Sequence, residues 1–117
     1  MHQLEFQRRT KRFALRVIDF VSAMPRNKVT DLVGFQLLKS GTSVDANYRK
    51  ANSEKLPSDF IHKIDIAAEE AAETQHWLEL CQEAALGLPT ERRWLLSESR
   101  ELAAIFTKMG NAAKAVN

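Results

Sequence analysis

The sequence predicts an all-α fold, an antiparallel up-and-down four-helix bundle. Three observations lead there. Glycine and proline are scarce, 4 and 3 in 117 residues, which favours long helices over many short strands. Apolar residues recur with helical period along four segments. The segments are cut by Met24-Pro25, by Asn52-Ser53-Glu54-Lys55-Leu56 and by Gly87-Leu88-Pro89, connections short enough to make successive helices antiparallel neighbours. A length of 117 residues corresponds to a single domain spanning 1–117.

The first helix is expected over about 3–23, because the residue before Pro25 is pushed out of helical geometry. Phe6, Phe13 and Phe20 recur every seven residues and, with Val17, Val21 and Met24, form one apolar face. Arg8, Arg12 and Arg16 follow a separate row with Arg9 beside it, a basic face. Leu4, Leu15 and Ile18 make a third, smaller stripe. A helix of a monomeric bundle needs one apolar face, so the extra stripe predicts a second neighbour.

The second helix is expected over about 28–51 and runs through Ser40-Gly41-Thr42-Ser43. Those four residues read at first as a loop, but Val33, Leu37, Val44 and Tyr48 keep one helical phase on either side of them, which a loop has no reason to preserve. Gly34 and Gly41 lie on the flank of this stripe. Each costs about 1 kcal/mol of helix propensity, a cost that close approach of another helix offsets, and Gly41 is the expected place for a bend.

The third helix is expected over about 57–85, with Pro57 in the first turn. Phe60, Ile61, Ile64, Ala67, Ala68, Ala71 and Leu78 share a face whose alanines permit close packing. Ile66, Trp77 and Leu80 stand on the other side among Glu69, Glu70 and Glu73, a second helix with apolar residues on two sides. With Leu4, Leu15 and Ile18 they are the candidate contacts of a homo-oligomer. The fourth helix is expected over about 91–113, with Thr90 as N-cap, Leu95, Leu102, Ile105, Phe106 and Met109 on its apolar face, and fraying at Gly110-Asn111.

The net charge of +2 hides an asymmetry: residues 1–55 carry 11 Lys+Arg against 5 Asp+Glu, and residues 56–117 carry 6 against 10. The two halves attract each other, within a chain or between chains, and basic surface remains for an acidic partner. Cys81 is the only cysteine, so no internal disulfide and no CxxC metal pair exist, and it reads as a buried small hydrophobe. The N-terminus lacks an apolar signal core and no long apolar run is present, so a cytoplasmic protein without a membrane span is expected.

Two blocks carry a family likeness. Residues 36–51, QLLKSGTSVDANYRKA, resemble the QLLxSGTSVxANYREA signature of a family of bacterial four-helix bundle proteins, associated with open reading frames in intervening sequences of large-subunit ribosomal RNA. Residues 59–80, from Asp59-Phe60-Ile61 to Trp77-Leu78-Glu79-Leu80, resemble its DFIxKLxIAxKEAxETxYWLEL. The resemblance implies a four-helix bundle and a ring-shaped homo-oligomer, commonly a pentamer. A relative, the accessory subunit of diversity-generating retroelements, works beside a reverse transcriptase and binds nucleic acid, so RNA or DNA and a reverse transcriptase are partners that the resemblance suggests. It brings no catalytic residues and no cofactor. The sequence departs from the signature at Lys50, where Glu is usual.

Chemical readings of the motifs divide clearly. A phosphate loop at Ser40–Ser43 lacks the preceding strand and the terminal Lys-Ser/Thr. Glu73-Thr74-Gln75-His76, with His62, Asp65 and Glu69 nearby, resembles half of a di-iron bundle site, but a second Glu-x-x-His is missing, so no metal is assigned. The basic face of Arg8, Arg9, Arg12 and Arg16 is the candidate nucleic-acid-binding surface, since arginines along one helix can track a phosphate backbone. Its structural alternative is pairing with the acidic Glu69-Glu70-Glu73 face of a neighbouring helix or subunit. Interleaved aromatic residues suited to base stacking are not expected beside these arginines, because Phe6, Phe13 and Phe20 belong to the core stripe. The expected function is therefore a non-enzymatic homo-oligomer binding RNA or DNA without sequence preference, or else a purely structural oligomer.

Overall fold

The computed structural model describes residues 2–116. The expected up-and-down bundle is the fold observed, with α1 over Gln3–Ser22, α2 over Lys28–Ser53, α3 over Pro57–Glu83 and α4 over Pro89–Ala115. Each helix packs on its sequence neighbour and α4 returns to close on α1; among the described residues the backbones of the diagonal pairs α1/α3 and α2/α4 do not approach closely, and Tyr48 of α2 reaches Phe106 of α4 only through its ring. The body measures 47 × 23 × 20 Å, its long axis set by helices of up to 27 residues. Among the described residues no helix is long and apolar enough to cross a membrane.

The helix ends follow local chemistry. His2 caps α1 by accepting from the Leu4 amide at 3.3 Å. Asn27 caps α2 by accepting from the Val29 and Thr30 amides, both at 3.0 Å, while the Thr30 hydroxyl takes the Asn27 amide at 3.2 Å. That is a capping box built on threonine instead of glutamate. α3 stops at Glu83, two residues before its expected end. Its last turn closes by a bond from the Leu86 amide to the Cys81 carbonyl at 2.8 Å, with Ala85 in the left-handed region at φ 56°. Glycine is the usual residue for such a cap.

α4 corrects the sequence reading. Leu88, not Thr90, is the N-cap residue, and Pro89 occupies the first helical turn. Proline's preset φ suits that turn, and it lacks the amide that would have been left unpaired there. Arg92 ties the connection down by donating from Nη1 to the Leu86 carbonyl at 2.9 Å. At the other end α4 continues through Gly110-Asn111 to Ala115, so the expected fraying point is helical. Gly110 faces α3, where Asp65 Oδ1 lies 3.0 Å from the position a Cβ would take.

The core draws on every helix, from Phe6, Phe13, Val17 and Phe20 in α1 to Leu95, Leu102 and Phe106 in α4. The loop-like stretch of α2 is helical throughout and organises its surroundings. Gly41 faces Val17, whose Cγ atoms lie 2.9 Å from where a Cβ would stand, and Gly34 meets Val21 Cγ1 at 2.8 Å in the same way. A side chain at either position would push α1 away. Val44 and Tyr48 are buried in the core. The Ser40 and Thr74 hydroxyls meet at 2.8 Å between α2 and α3, and Thr74 also reaches the Glu70 carbonyl at 2.8 Å. Thr74 has one proton to give, so Ser40 supplies the other bond of this buried chain. Thr10 of α1 donates to Asp45 of α2 at 2.8 Å. The small and polar residues of this stretch serve helix contacts on two sides.

Candidate nucleic-acid interface

α1 meets α4 along the loosest of the four helix seams. Into it α1 projects its arginine rows and α4 a stripe of Glu91, Trp94, Glu98 and Glu101, spaced three and four residues apart so that they share one side of the helix. Arg9 grips Glu98 with a fork, Nε to Oε2 and Nη2 to Oε1, each at 2.8 Å, and reaches Glu101 at 3.4 Å. The hydrogen bond to Glu98 raises the Arg9 pKa against the opposing pull of burial, so this guanidinium is a permanent cation. Arg16 binds Glu91 at 2.6 Å and lies over the Trp94 ring, 3.8 Å from its centroid. A guanidinium at that height gains both from ring electrostatics and from the flat packing of two planar groups.

Arg8 and Arg12 behave differently. Both are exposed, and among the described residues neither forms an ion pair. They border a groove of about 410 Å³ whose walls are Glu5, Arg8, Arg9, Arg12, Trp94 and Glu98. The basic face is therefore split: two arginines are spent on α4, and two face solvent beside an aromatic ring.

Two sequence expectations are corrected at this seam. Arg9 and Arg16 pair with glutamates of α4 rather than with Glu69-Glu70-Glu73 of α3, because α3 is diagonal to α1 in an up-and-down bundle. An aromatic residue does stand with the arginines: Trp94 comes from the other helix. The signal was present in the Glu91, Trp94, Glu98, Glu101 spacing, but nothing in a single helix says which neighbour its polar side meets.

The candidate oligomer contacts lie outside the core. Leu4, Leu15, Ile18 and Leu80 are exposed, and Ile66 and Trp77 are half-buried. Trp77 packs against the core edge and donates its Nε1 to Glu73 at 2.9 Å. Sequence reading missed Val29, Leu32 and Phe35 on the outer face of α2, at 57%, 58% and 60% exposure. They stand out of phase with the Val33 and Leu37 stripe, and that offset could have revealed them. Phe35 also lines an open groove of about 630 Å³ with Val21, Met24, Gly34 and Leu38.

The side chains of the di-iron-like motif have other engagements. Glu73 accepts from Trp77, His76 stacks edge-on against the same indole with centroids 5.6 Å apart, and Asp65 pairs with Lys114 at 3.1 Å. Among the described residues no group of three or more His, Cys, Asp or Glu side chains is placed to hold a metal ion. Cys81 is buried, and burial pushes its thiol up to about 11 while the charge of Arg92 pulls weakly the other way. At neutral pH it is a thiol, not a nucleophilic thiolate.

Fold and seam together define a small helical bundle with a divided basic face. The profile of the family described as 23S rRNA-intervening sequence protein matches residues 2–108, and the chain belongs to that family. Among solved structures, the chain is similar to a protein of unknown function from the S23 ribosomal protein family of Bacteroides thetaiotaomicron. The two are 27% identical over 95% of this chain and 99% of that one, with a TM-score of 0.85. No curated protein matches the chain.

Proposed function

We propose that this protein is a non-enzymatic, self-associating accessory factor that binds nucleic acid without reading its sequence, through Arg8 and Arg12 of α1. The observation that carries the reading is the pair itself: two exposed guanidiniums one helical turn apart, without a carboxylate partner among the described residues, beside Arg9 and Arg16 whose charges α4 already meets. Free arginines on a rigid helix displace counterions from phosphates, so the binding is salt-dependent and indifferent to base identity. The expected result is RNA binding at low salt that falls steeply as salt is added. In Arg8→Ala/Arg12→Ala the slope of log affinity against log salt is reduced by about 1.4, at roughly 0.7 per lost phosphate contact on a single strand. Anisotropy titrations across a salt series measure it, and unchanged binding by the double variant overturns the assignment.

Self-association rests on a separate observation, the exposed apolar residues on α1, α2 and α3. Leu15, Ile18, Leu32, Phe35 and Leu80 are more than a third exposed on a chain of only 13.3 kDa. Light scattering is expected to give a multiple of 13.3 kDa at micromolar concentration, a pentamer by the family resemblance, and Leu15→Asp with Leu80→Asp to lower it. A wild-type monomer at that concentration rejects this part of the proposal.

A further inference from the structure

Trp94, partly buried against the core, also borders the phosphate track, lining the same groove as Arg8, Arg9 and Arg12. Its ring is held in place by Arg16, which lies 3.8 Å from the ring centroid and is itself fixed by Glu91 at 2.6 Å. Arg9, which also lines the groove, is set by its fork onto Glu98 at 2.8 Å. The open groove thus joins a positioned aromatic ring to two cations without an ion pair among the described residues.

We propose that this groove is selective for single-stranded nucleic acid, one base stacking on Trp94 while flanking phosphates meet Arg8 and Arg12. The inference rests on the reading that these two arginines bind phosphate, and it adds the strandedness of the ligand. Stacking on an aromatic side chain needs a base whose face is free, which a single strand offers and an intact duplex withholds. Every base has such a face, so the site tolerates any sequence. Two carboxylates also line the groove. Glu98 is neutralised by Arg9, whereas Glu5 has no ion pair among the described residues and repels phosphate from its own end. Neither contact involves the ribose 2′-hydroxyl, so RNA and DNA strands are bound alike.

The test uses the full chain and labelled oligonucleotides of about 12 nucleotides, within the roughly 4–16 typical of single-strand sites. An oligo-U strand, its deoxy counterpart and a blunt duplex are compared. Both single strands are expected to bind more tightly than the duplex. Trp94→Leu is expected to weaken single-strand binding by about 5- to 150-fold, the span of one lost base stack, with duplex binding and salt slope unchanged; Trp94→Phe restores most of the loss. In a Trp77→Phe background, where Trp94 is the sole indole, saturating strand quenches its fluorescence. That readout needs no Trp94 variant to fold. Equal binding of strand and duplex, an unquenched indole, or a neutral Trp94→Leu in a chain of normal helicity overturns the stacking site. If Arg8→Ala/Arg12→Ala still weakens binding and lowers the salt slope in that case, the phosphate reading stands and only the stacking has failed; if the arginine variant binds normally, both fall.

Discussion

Phe106→Ala is expected to destabilise the fold by about 3–5 kcal/mol, the usual cost of emptying a buried aromatic site. Phe106 is fully buried and meets two rings from different helices. Phe6 of α1 lies edge-on at 5.4 Å between centroids and Tyr48 of α2 lies tilted at 5.7 Å, while Phe6 and Tyr48 meet edge to face at 4.8 Å and 87°. The three rings join α1, α2 and α4 at one level of the bundle, where α1 and α4 otherwise pack sparsely. Removing Phe106 takes away apolar burial, one edge-to-face contact with Phe6 and one tilted contact with Tyr48, such ring pairs being worth about 0.5–1.5 kcal/mol beyond area. Neighbouring helices joined by short turns cannot collapse freely into the space. Urea unfolding at fixed protein concentration measures the loss, with Phe106→Leu, expected to lose much less, as the control for volume. A loss below about 1 kcal/mol would falsify the picture of a close-packed ring cluster and imply that the seam relaxes into the cavity.

Gly87→Ala is expected to cost about 2–4 kcal/mol, combining a left-handed backbone with overpacking. Gly87 sits at φ 78°, and a Cβ there would run into the ring of Phe20, which is almost wholly buried at the end of α1. The φ angle is the smaller part of the effect. Ala85, two residues earlier, adopts φ 56° with its methyl group in place, so the chain tolerates a side chain in that region where space exists. What Gly87 provides is close passage of the α3–α4 connection over Phe20. Comparing Gly87→Ala with Ala85→Gly by the same denaturation measurement separates the two causes. Ala85→Gly is expected to be neutral or stabilising, and equal, small effects at both positions would show that the ring yields.

Much of the fold was legible in the residues because helices announce themselves locally. The phase shared by Val33, Leu37, Val44 and Tyr48 carried α2 straight through Ser40–Ser43, and the helix is continuous there. The boundaries were less legible. Thr90 has the chemistry of a cap, but Pro89 was better suited to the first turn, and α4 began two residues early. Gly87-Leu88-Pro89 looked like the end of α3, whereas the hydrogen bond from Leu86 to Cys81 closes that helix before the glycine is reached.

By itself the sequence determined four helices, their antiparallel order and which residues of each are apolar, since period and turn chemistry are properties of short stretches. It also marked α1 as basic. Only the tertiary structure decided which charges are spent. α1 lies against α4 and diagonal to α3, so Arg9 and Arg16 find Glu98 and Glu91, and Arg8 and Arg12 are left facing solvent. The same adjacency brings Trp94 to the arginines from about 80 residues away in the chain, a proximity set by helix packing that periodicity within one helix does not encode.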